Sequence, residues 1–264
     1  MKKYLVIGNP INHSLSPKLH NHWIKKNKID AIYEKKLLIK SDLNEVISQV
    51  KSGEIDGINI TLPFKNSAIP FVDELTLEAK KTQSVNTIYC KNKKIIGHNT
   101  DIAGFELGLR HFKYDASGKK ILILGAGGVV PSIIFALKKM GALHITLSNR
   151  TKSKAEDIKK NFPEIEIIDW GKIVEFDMII NATSIGLNND DEIKLNYNDF
   201  GKNKFFYDVI YNPKQTNFLK KAKELGNMTD NGKMMFIYQA HQAFAIWHKI
   251  FPKIDTETIK LLDD

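Results

Sequence analysis

The run Gly125-Ala126-Gly127-Gly128 follows the apolar stretch Ile121-Leu122-Ile123-Leu124 and opens a helical pattern. Residues of this type work through their backbone. Glycines turn tightly and let main-chain N–H groups approach a pyrophosphate, while the helix that follows presents its positive dipole end. A plain strand–helix turn uses glycines too, so it is the flanking strand and helix that give the run its dinucleotide reading. Val130 stands where the third glycine of that pattern falls. The next strand ends in Ser148-Asn149-Arg150-Thr151, with Lys152 and Lys154 just beyond. An NAD site places a carboxylate there for the ribose 2′-hydroxyl, and this segment has none. A guanidinium, a hydroxyl and ammonium groups suit a 2′-phosphate, so the pattern predicts NADP(H).

Three polar clusters precede the glycine run. The first is Asn9-Pro10-Ile11-Asn12-His13-Ser14-Leu15-Ser16-Pro17. Ser16 before Pro17 reads as a helix cap followed by proline in the first turn. That leaves Ser14 unexplained, and two hydroxyls beside a helix N-terminus also make a carboxylate clamp. The second cluster, Asn59-Ile60-Thr61-Leu62-Pro63-Phe64-Lys65, runs from a strand end into a loop, where open α/β sheets carry their sites. The third combines Val85-Asn86-Thr87 with Gly97-His98-Asn99-Thr100-Asp101, where Thr100 or Asp101 also serves as a helix cap.

The elements that position these residues alternate between strand and helix, which predicts an α/β fold with parallel sheets. In the first part, strands are expected over residues 4–8, 32–38 and 57–61, and a strand pair over 85–90 and 94–97. Helices are expected over 17–27, 41–51 (capped by Ser41) and 102–113. Residues 114–118 read as a linker. The pattern then restarts, with strands at 120–124, 144–148, 166–169, 178–182 and 205–209 and helices at 129–140, 152–161 and 217–225. A tail follows, with helices near 234–247 and 256–262. Two α/β lobes with a helical tail result.

Composition narrows the function classes. The chain has 264 residues, 42% of them hydrophobic and 26% charged, as a soluble globular protein has. No apolar run approaches the roughly 20 residues of a membrane helix. The apolar stretch at the start ends at Gly8-Asn9-Pro10, too early for a signal core and in keeping with a first strand. The single cysteine, Cys90, reads as a small apolar strand residue and points to a reducing cytoplasm. The net charge of +9 comes almost wholly from lysines spread along the chain, with Arg110 and Arg150 the only arginines. Base-reading proteins favour arginine clusters, so no nucleic-acid partner is expected.

Taken in order, these motifs resemble the shikimate dehydrogenase family over nearly the whole chain. The resemblance rests on the clusters above, on Asn181-Ala182-Thr183-Ser184 and Asp208-Val209-Ile210-Tyr211-Asn212-Pro213, and on the tail Gln239…Phe244-Ala245-Ile246-Trp247. It implies a substrate and catalytic lobe over 1–102, joined by tail helices 237–264 packing back on it. A Rossmann-like, doubly wound NADP-binding lobe spans 103–236. By position, Lys65 and Asp101 are the catalytic pair. Ser14, Ser16 and Tyr211 hold the substrate carboxylate, and Thr61, Asn86 and Gln239 the ring hydroxyls of shikimate or 3-dehydroshikimate. Gly125, Ala126, Gly127, Gly128, Asn149, Arg150, Thr151, Lys154, Thr183 and Met235 meet the cofactor. Val130, Met234, Asn231 and Ala240 depart from the family pattern, all outside the proposed catalytic groups. A cytoplasmic enzyme, monomer or homodimer, is expected. Two alternatives stay open at this stage: a broader quinate/shikimate enzyme using NAD, and a non-catalytic NADPH-binding module.

Overall fold

The structure, a computed structural model, describes residues 1–188 and 190–263. It divides into two compact units, Met1–Gly104 with Ile237–Asp264, and Phe105–Phe236. The first unit contains β1 (Lys2–Gly8), α1 (Ser16–Lys26), β2 (Ala31–Leu37), α2 (Leu43–Ser52), β3 (Gly57–Ile60), β4 (Glu74–Leu75), α3 (Leu77–Thr82), β5 (Thr87–Lys91) and β6 (Lys94–His98). Helix α4 (Asp101–His111) leads into the second unit. That unit contains β7 (Lys120–Leu124), α5 (Val130–Lys139), β8 (His144–Ser148), α6 (Lys152–Asn161), β9 (Glu166–Ile168), β10 (Met178–Asn181), β11 (Phe205–Asp208), α7 (Asn217–Glu224) and β12 (Met228–Asn231). Helix α8 (Lys233–His248) returns to the first unit, which α9 (Thr256–Lys260) completes.

The first sheet has the order β2-β1-β3-β5-β6-β4. It is mixed rather than purely parallel, because β5 runs antiparallel to both β3 and β6. The cause is local. Asn92 and Lys93 both take positive φ, near 52° and 61°, which makes a two-residue turn that joins β5 directly to β6. Along β1, Leu5 and Ile7 point to a core built with Ile58, Ile60, Ile88 and the apolar side of α2, namely Leu43, Val46, Ile47 and Val50. Tyr4 lies on the opposite face, as strand alternation requires, and meets Trp247 of α8 with ring centroids 4.9 Å apart. Trp247 packs on β3 because residue 57 is glycine: a Cβ there would lie 2.3 Å from the indole nitrogen. That nitrogen donates to the Ile88 carbonyl at 3.2 Å. Truncating such a buried tryptophan costs about 3–5 kcal/mol, so this contact anchors the tail on the first unit.

The second sheet is fully parallel, in the order β12-β11-β10-β7-β8-β9. The order reverses between β7 and β10, the doubly wound arrangement with its switch point at that pair. Leu122, Leu124, Ile179 and Phe206 pack against Phe218 and Leu219 of α7 on one side of this sheet.

Several local expectations need correction. The cap position of α1 is Leu15, not Ser16, and no side chain caps it. Ser14 Oγ instead accepts the Ser16 N–H at 3.3 Å, and Ser16 is buried in the first turn of α1. Ser41 lies in a 3₁₀ turn before α2, and its hydroxyl donates to Asp42 rather than to a helix end. Cys90 is a strand residue but exposed, because burial fades along β5 toward its turn. Strand β4, helix α3 and strand β12 went unread in the sequence: each is too short, or in β12 too polar, to show a period.

Candidate active site

In the first unit, three loops at neighbouring strand ends are stitched together. Asn9 and Thr61 donate backbone N–H groups to Leu62 and Ile7 carbonyls, both at 2.9 Å. The Val85 N–H donates to the Lys65 carbonyl at 2.8 Å, and the Asn86 N–H to the His98 carbonyl at 3.0 Å. These bonds bring the segments of Lys65, Asn86 and Asp101 side by side. Lys65 Nζ lies 2.5 Å from Asp101 Oδ2, with the side chains only 14% and 7% exposed. The other carboxylate oxygen, Oδ1, accepts from Asn86 Nδ2 at 2.9 Å.

Asp101 is free for this pairing because it does not cap its own helix. Asn99 Oδ1 accepts the N–H groups of Asp101 and Ile102, at 3.0 and 3.4 Å. Asn86 is in turn locked by its neighbours: its Oδ1 accepts the Thr100 N–H at 2.8 Å and the Thr87 hydroxyl at 3.0 Å. Two residues missed in the sequence complete the network. Asn59 Nδ2 donates to the Asn86 carbonyl and to Thr87 Oγ1, both at 3.0 Å, and Tyr33 OH donates to Asn59 Oδ1 at 2.7 Å. Asn59 stood in the second polar cluster, so the motif held its signal, whereas Tyr33 looked like any strand aromatic. Ser14 and Thr61 are half-buried in these loops, and Gln239 is half-buried on α8. An ammonium held against a carboxylate in a little-exposed site can donate a proton to a developing alkoxide and take it back from a hydroxyl.

In the second unit, the glycine run leaves β7 and enters α5. Gly125 has φ near +107°, and its N–H donates to the Ser148 carbonyl at 2.8 Å, tying the run to the end of β8. A Cβ at Gly125 would lie 2.8 Å from the Ala182 carbonyl oxygen and 2.9 Å from Thr183 Cγ2, so no other residue is accommodated there. The Val130 side chain, placed where a third glycine is usual, turns fully into the core. No side chain caps α5, which leaves its positive end to the loop. Arg150 and Thr151 are exposed just beyond β8 and Lys154 in the first turn of α6, and Asn149 Nδ2 holds the turn by donating to the Thr151 carbonyl at 2.7 Å. Thr151 occupies the cap position of α6 without making a side-chain cap bond. A tight glycine cradle, an uncapped helix start and exposed cations fit a dinucleotide bearing a 2′-phosphate.

At the ends of β10 and β11, Asn181 Oδ1 accepts from both the N–H and the hydroxyl of Thr183, at 3.0 and 2.7 Å. Asn181 Nδ2 donates to the Asp208 carboxylate at 3.1 Å, which also accepts from Thr216 Oγ1 at 2.6 Å and the Ile210 N–H at 3.0 Å. Burial pushes the Asp208 carboxyl up to about 6, against the pull of these donors. Tyr211 stacks on Phe236, and Met235 is buried at the start of α8. Among the described residues, no group of histidine, cysteine or acidic side chains could hold a metal ion, and no helix is long and apolar enough to cross a membrane.

Residues 6–88 match the family model for the shikimate dehydrogenase substrate binding domain, and residues 106–211 that for shikimate / quinate 5-dehydrogenase. The shikimate dehydrogenase (NADP(+)) of Pelagibacter ubique is 63% identical over 99% of each chain. The crystal structure of the Aquifex aeolicus shikimate dehydrogenase superposes with a TM-score of 0.90 at 35% identity, covering 100% of this chain and 96% of that one. The Thermus thermophilus enzyme, crystallised with NADP(H) and shikimate, gives 0.91 at 28% identity and covers 100% and 99%. With two family models covering most of its length and a near-full-length relative at this identity, the chain belongs to the shikimate dehydrogenase family.

Proposed function

We propose that this protein catalyses the reversible, NADPH-dependent reduction of 3-dehydroshikimate to shikimate, with Lys65 and Asp101 as its acid–base pair. The observation that carries the reading is the close, little-exposed contact of Lys65 with Asp101, braced by Asn86. When bound, NADPH supplies the hydride. Lys65 stabilises the negative charge that builds on the substrate oxygen and gives it a proton from Nζ, becoming neutral. In the oxidative direction, neutral Lys65 takes the hydroxyl proton. Asp101 aims the lysine and favours its charged form. Ser14 and Ser16 grip the substrate carboxylate, and Thr61, Asn86 and Gln239 orient the ring hydroxyls. On this reading the first unit binds the substrate and the second the cofactor. Gly125, Ala126, Gly127 and Gly128 receive the pyrophosphate. Arg150, Thr151 and Lys154 take the 2′-phosphate on the turn that Asn149 shapes, and Thr183 and Met235 flank the nicotinamide. The enzyme works in the cytoplasm as a monomer or homodimer without a nucleic-acid partner, in keeping with dispersed lysines and a lone cysteine. Product analysis tests the activity. Purified protein given 3-dehydroshikimate and NADPH must yield shikimate in step with the NADPH consumed. NADPH loss without shikimate refutes the substrate, and no loss refutes the activity.

A further inference from the structure

Strand register sets Asn59 of β3 directly opposite Thr87 of β5 in their antiparallel pair. Facing side chains in such a pair lie close enough to bond. Both are buried, Thr87 fully. Asn59 Nδ2 donates to Thr87 Oγ1 and to the Asn86 carbonyl, both at 3.0 Å. A carbonyl only accepts, so the amide nitrogen must face it, and Asn59 Oδ1 turns to the Tyr33 hydroxyl at 2.7 Å. The sense of each bond around Thr87 follows from this orientation.

Thr87 Oγ1 accepts from Asn59, and its single proton goes to Asn86 Oδ1 at 3.0 Å, nearer than Thr100 Oγ1 at 3.4 Å. Asn86 Oδ1 also accepts the Thr100 N–H at 2.8 Å and the Thr100 hydroxyl at 3.2 Å. With its oxygen held, Asn86 directs its two amide protons to Thr100 Oγ1 and Asp101 Oδ1, each at 2.9 Å. Asp101 Oδ2 then receives Lys65. A chain of donors thus runs from the β3–β5 pair to the acid–base pair, all within the first unit. Thr87 is the link that joins the Asn59 side chain to that of Asn86.

We infer that Thr87 is a positioning residue: its hydroxyl, seated by Asn59, holds the Asn86 amide so that Asn86 aims Asp101 at Lys65. This rests on the reading of Lys65 and Asp101 as the acid–base pair. Removing the hydroxyl takes the acceptor from a buried Asn59 N–H and a donor from the Asn86 oxygen, so the loss falls on turnover as well as on stability. The second unit contributes nothing to this chain of bonds, so cofactor binding is untouched.

The test is steady-state kinetics of Thr87→Val, which replaces the hydroxyl by a methyl group of like size. Beside it stand Thr87→Ser, Asn86→Ala and the double variant of Thr87→Val with Asn86→Ala. Thr87→Val is expected to lower kcat roughly five- to thirtyfold, with the KM for NADP+ unchanged. Thr87→Ser keeps the hydroxyl and should hold kcat within about threefold of wild type. In the Asn86→Ala background Thr87→Val adds less than about twofold, because the group it positions is gone. A lower urea midpoint with unchanged kcat in Thr87→Val marks a merely structural threonine and overturns the inference. Equal kcat losses in Thr87→Val and Thr87→Ser, or equal penalties with and without Asn86, overturn it as well. If Lys65→Ala turns over at the wild-type rate, the acid–base reading itself fails and the inference falls with it. Wild-type turnover of Thr87→Val beside an impaired Lys65→Ala overturns the inference alone. Should Thr87→Val not fold, Thr87→Ala removes the same hydroxyl. It must then lower kcat and leave the KM for NADP+ unchanged; the opposite result overturns the inference.

Discussion

Replacing Lys65 and Asp101 singly and together probes the acid–base pair as a unit. The two groups are 2.5 Å apart and little exposed, and Asn86 holds the far oxygen of the carboxylate. Lys65→Ala removes the proton donor. Loss of a positioned general acid lowers kcat roughly 100- to 10,000-fold, or about 3–5 kcal/mol in the barrier. Asp101→Asn keeps the shape, but its amide nitrogen cannot accept from Lys65 while its oxygen serves Asn86, so Lys65 loses its partner. A kcat lower by roughly 10- to 1,000-fold follows. Because each group acts only through the other, the double variant should sit near the worse single variant and far above the product of the two losses. The assay is the initial rate of NADPH formation at saturating shikimate and NADP+. A urea unfolding midpoint equal to that of wild type shows that each variant is folded. A Lys65→Ala enzyme within about threefold of wild type, or losses that multiply in the double variant, would rule out a coupled acid–base pair.

Three further outcomes follow from the second unit. Gly125→Ala forces a side chain onto the Ala182 backbone at positive φ, so the KM for NADP+ should rise at least about tenfold while that for shikimate stays constant. Saturation curves for each substrate check this, and a normal NADP+ curve contradicts the cradle. Arg150→Leu should lower kcat/KM for NADP+ by roughly 10- to 100-fold and leave NAD+ use unaltered, as expected for a lost charge-assisted bond to a 2′-phosphate. Equal losses with both cofactors would point to a structural arginine. Asp208 keeps its proton in the folded state up to about 6, whereas the unfolded chain loses it near 3.8. Its stabilisation is therefore complete below the lower value and lost as pH rises through the upper one. Wild type should lose about 3 kcal/mol relative to Asp208→Asn between roughly pH 4 and pH 7. Urea midpoints for both proteins across that range measure it, and parallel curves would show that burial does not raise this carboxyl.

Much of the second unit was legible because its rules are local. A strand, a glycine run and a helix in that order describe β7, Gly125–Gly128 and α5, and the long strands announced themselves by apolar runs. The first unit was harder. The strand pair over 85–90 and 94–97 was legible, and the polar clusters were visible as clusters, but their pairing is set by which strand ends lie side by side in the sheet. Serine before proline at position 16 pointed to a cap, yet Leu15 holds the cap position and Ser14 Oγ takes the Ser16 N–H. Asp101 looked equally like a cap until Asn99 proved to be filling that role. Tyr33 carried no signal, because a buried aromatic on a strand needs no hydroxyl partner to explain it. Only three-dimensional packing put its oxygen against Asn59.

The rate of nicotinamide reduction by the purified protein, with shikimate or quinate crossed against NADP+ or NAD+, measures the proposed activity at its source. Fast turnover is expected with shikimate and NADP+, and slow turnover in the other three combinations. Comparable rates with quinate or with NAD+ would contradict the assigned substrate or the 2′-phosphate site, and no turnover in any combination would contradict the activity itself.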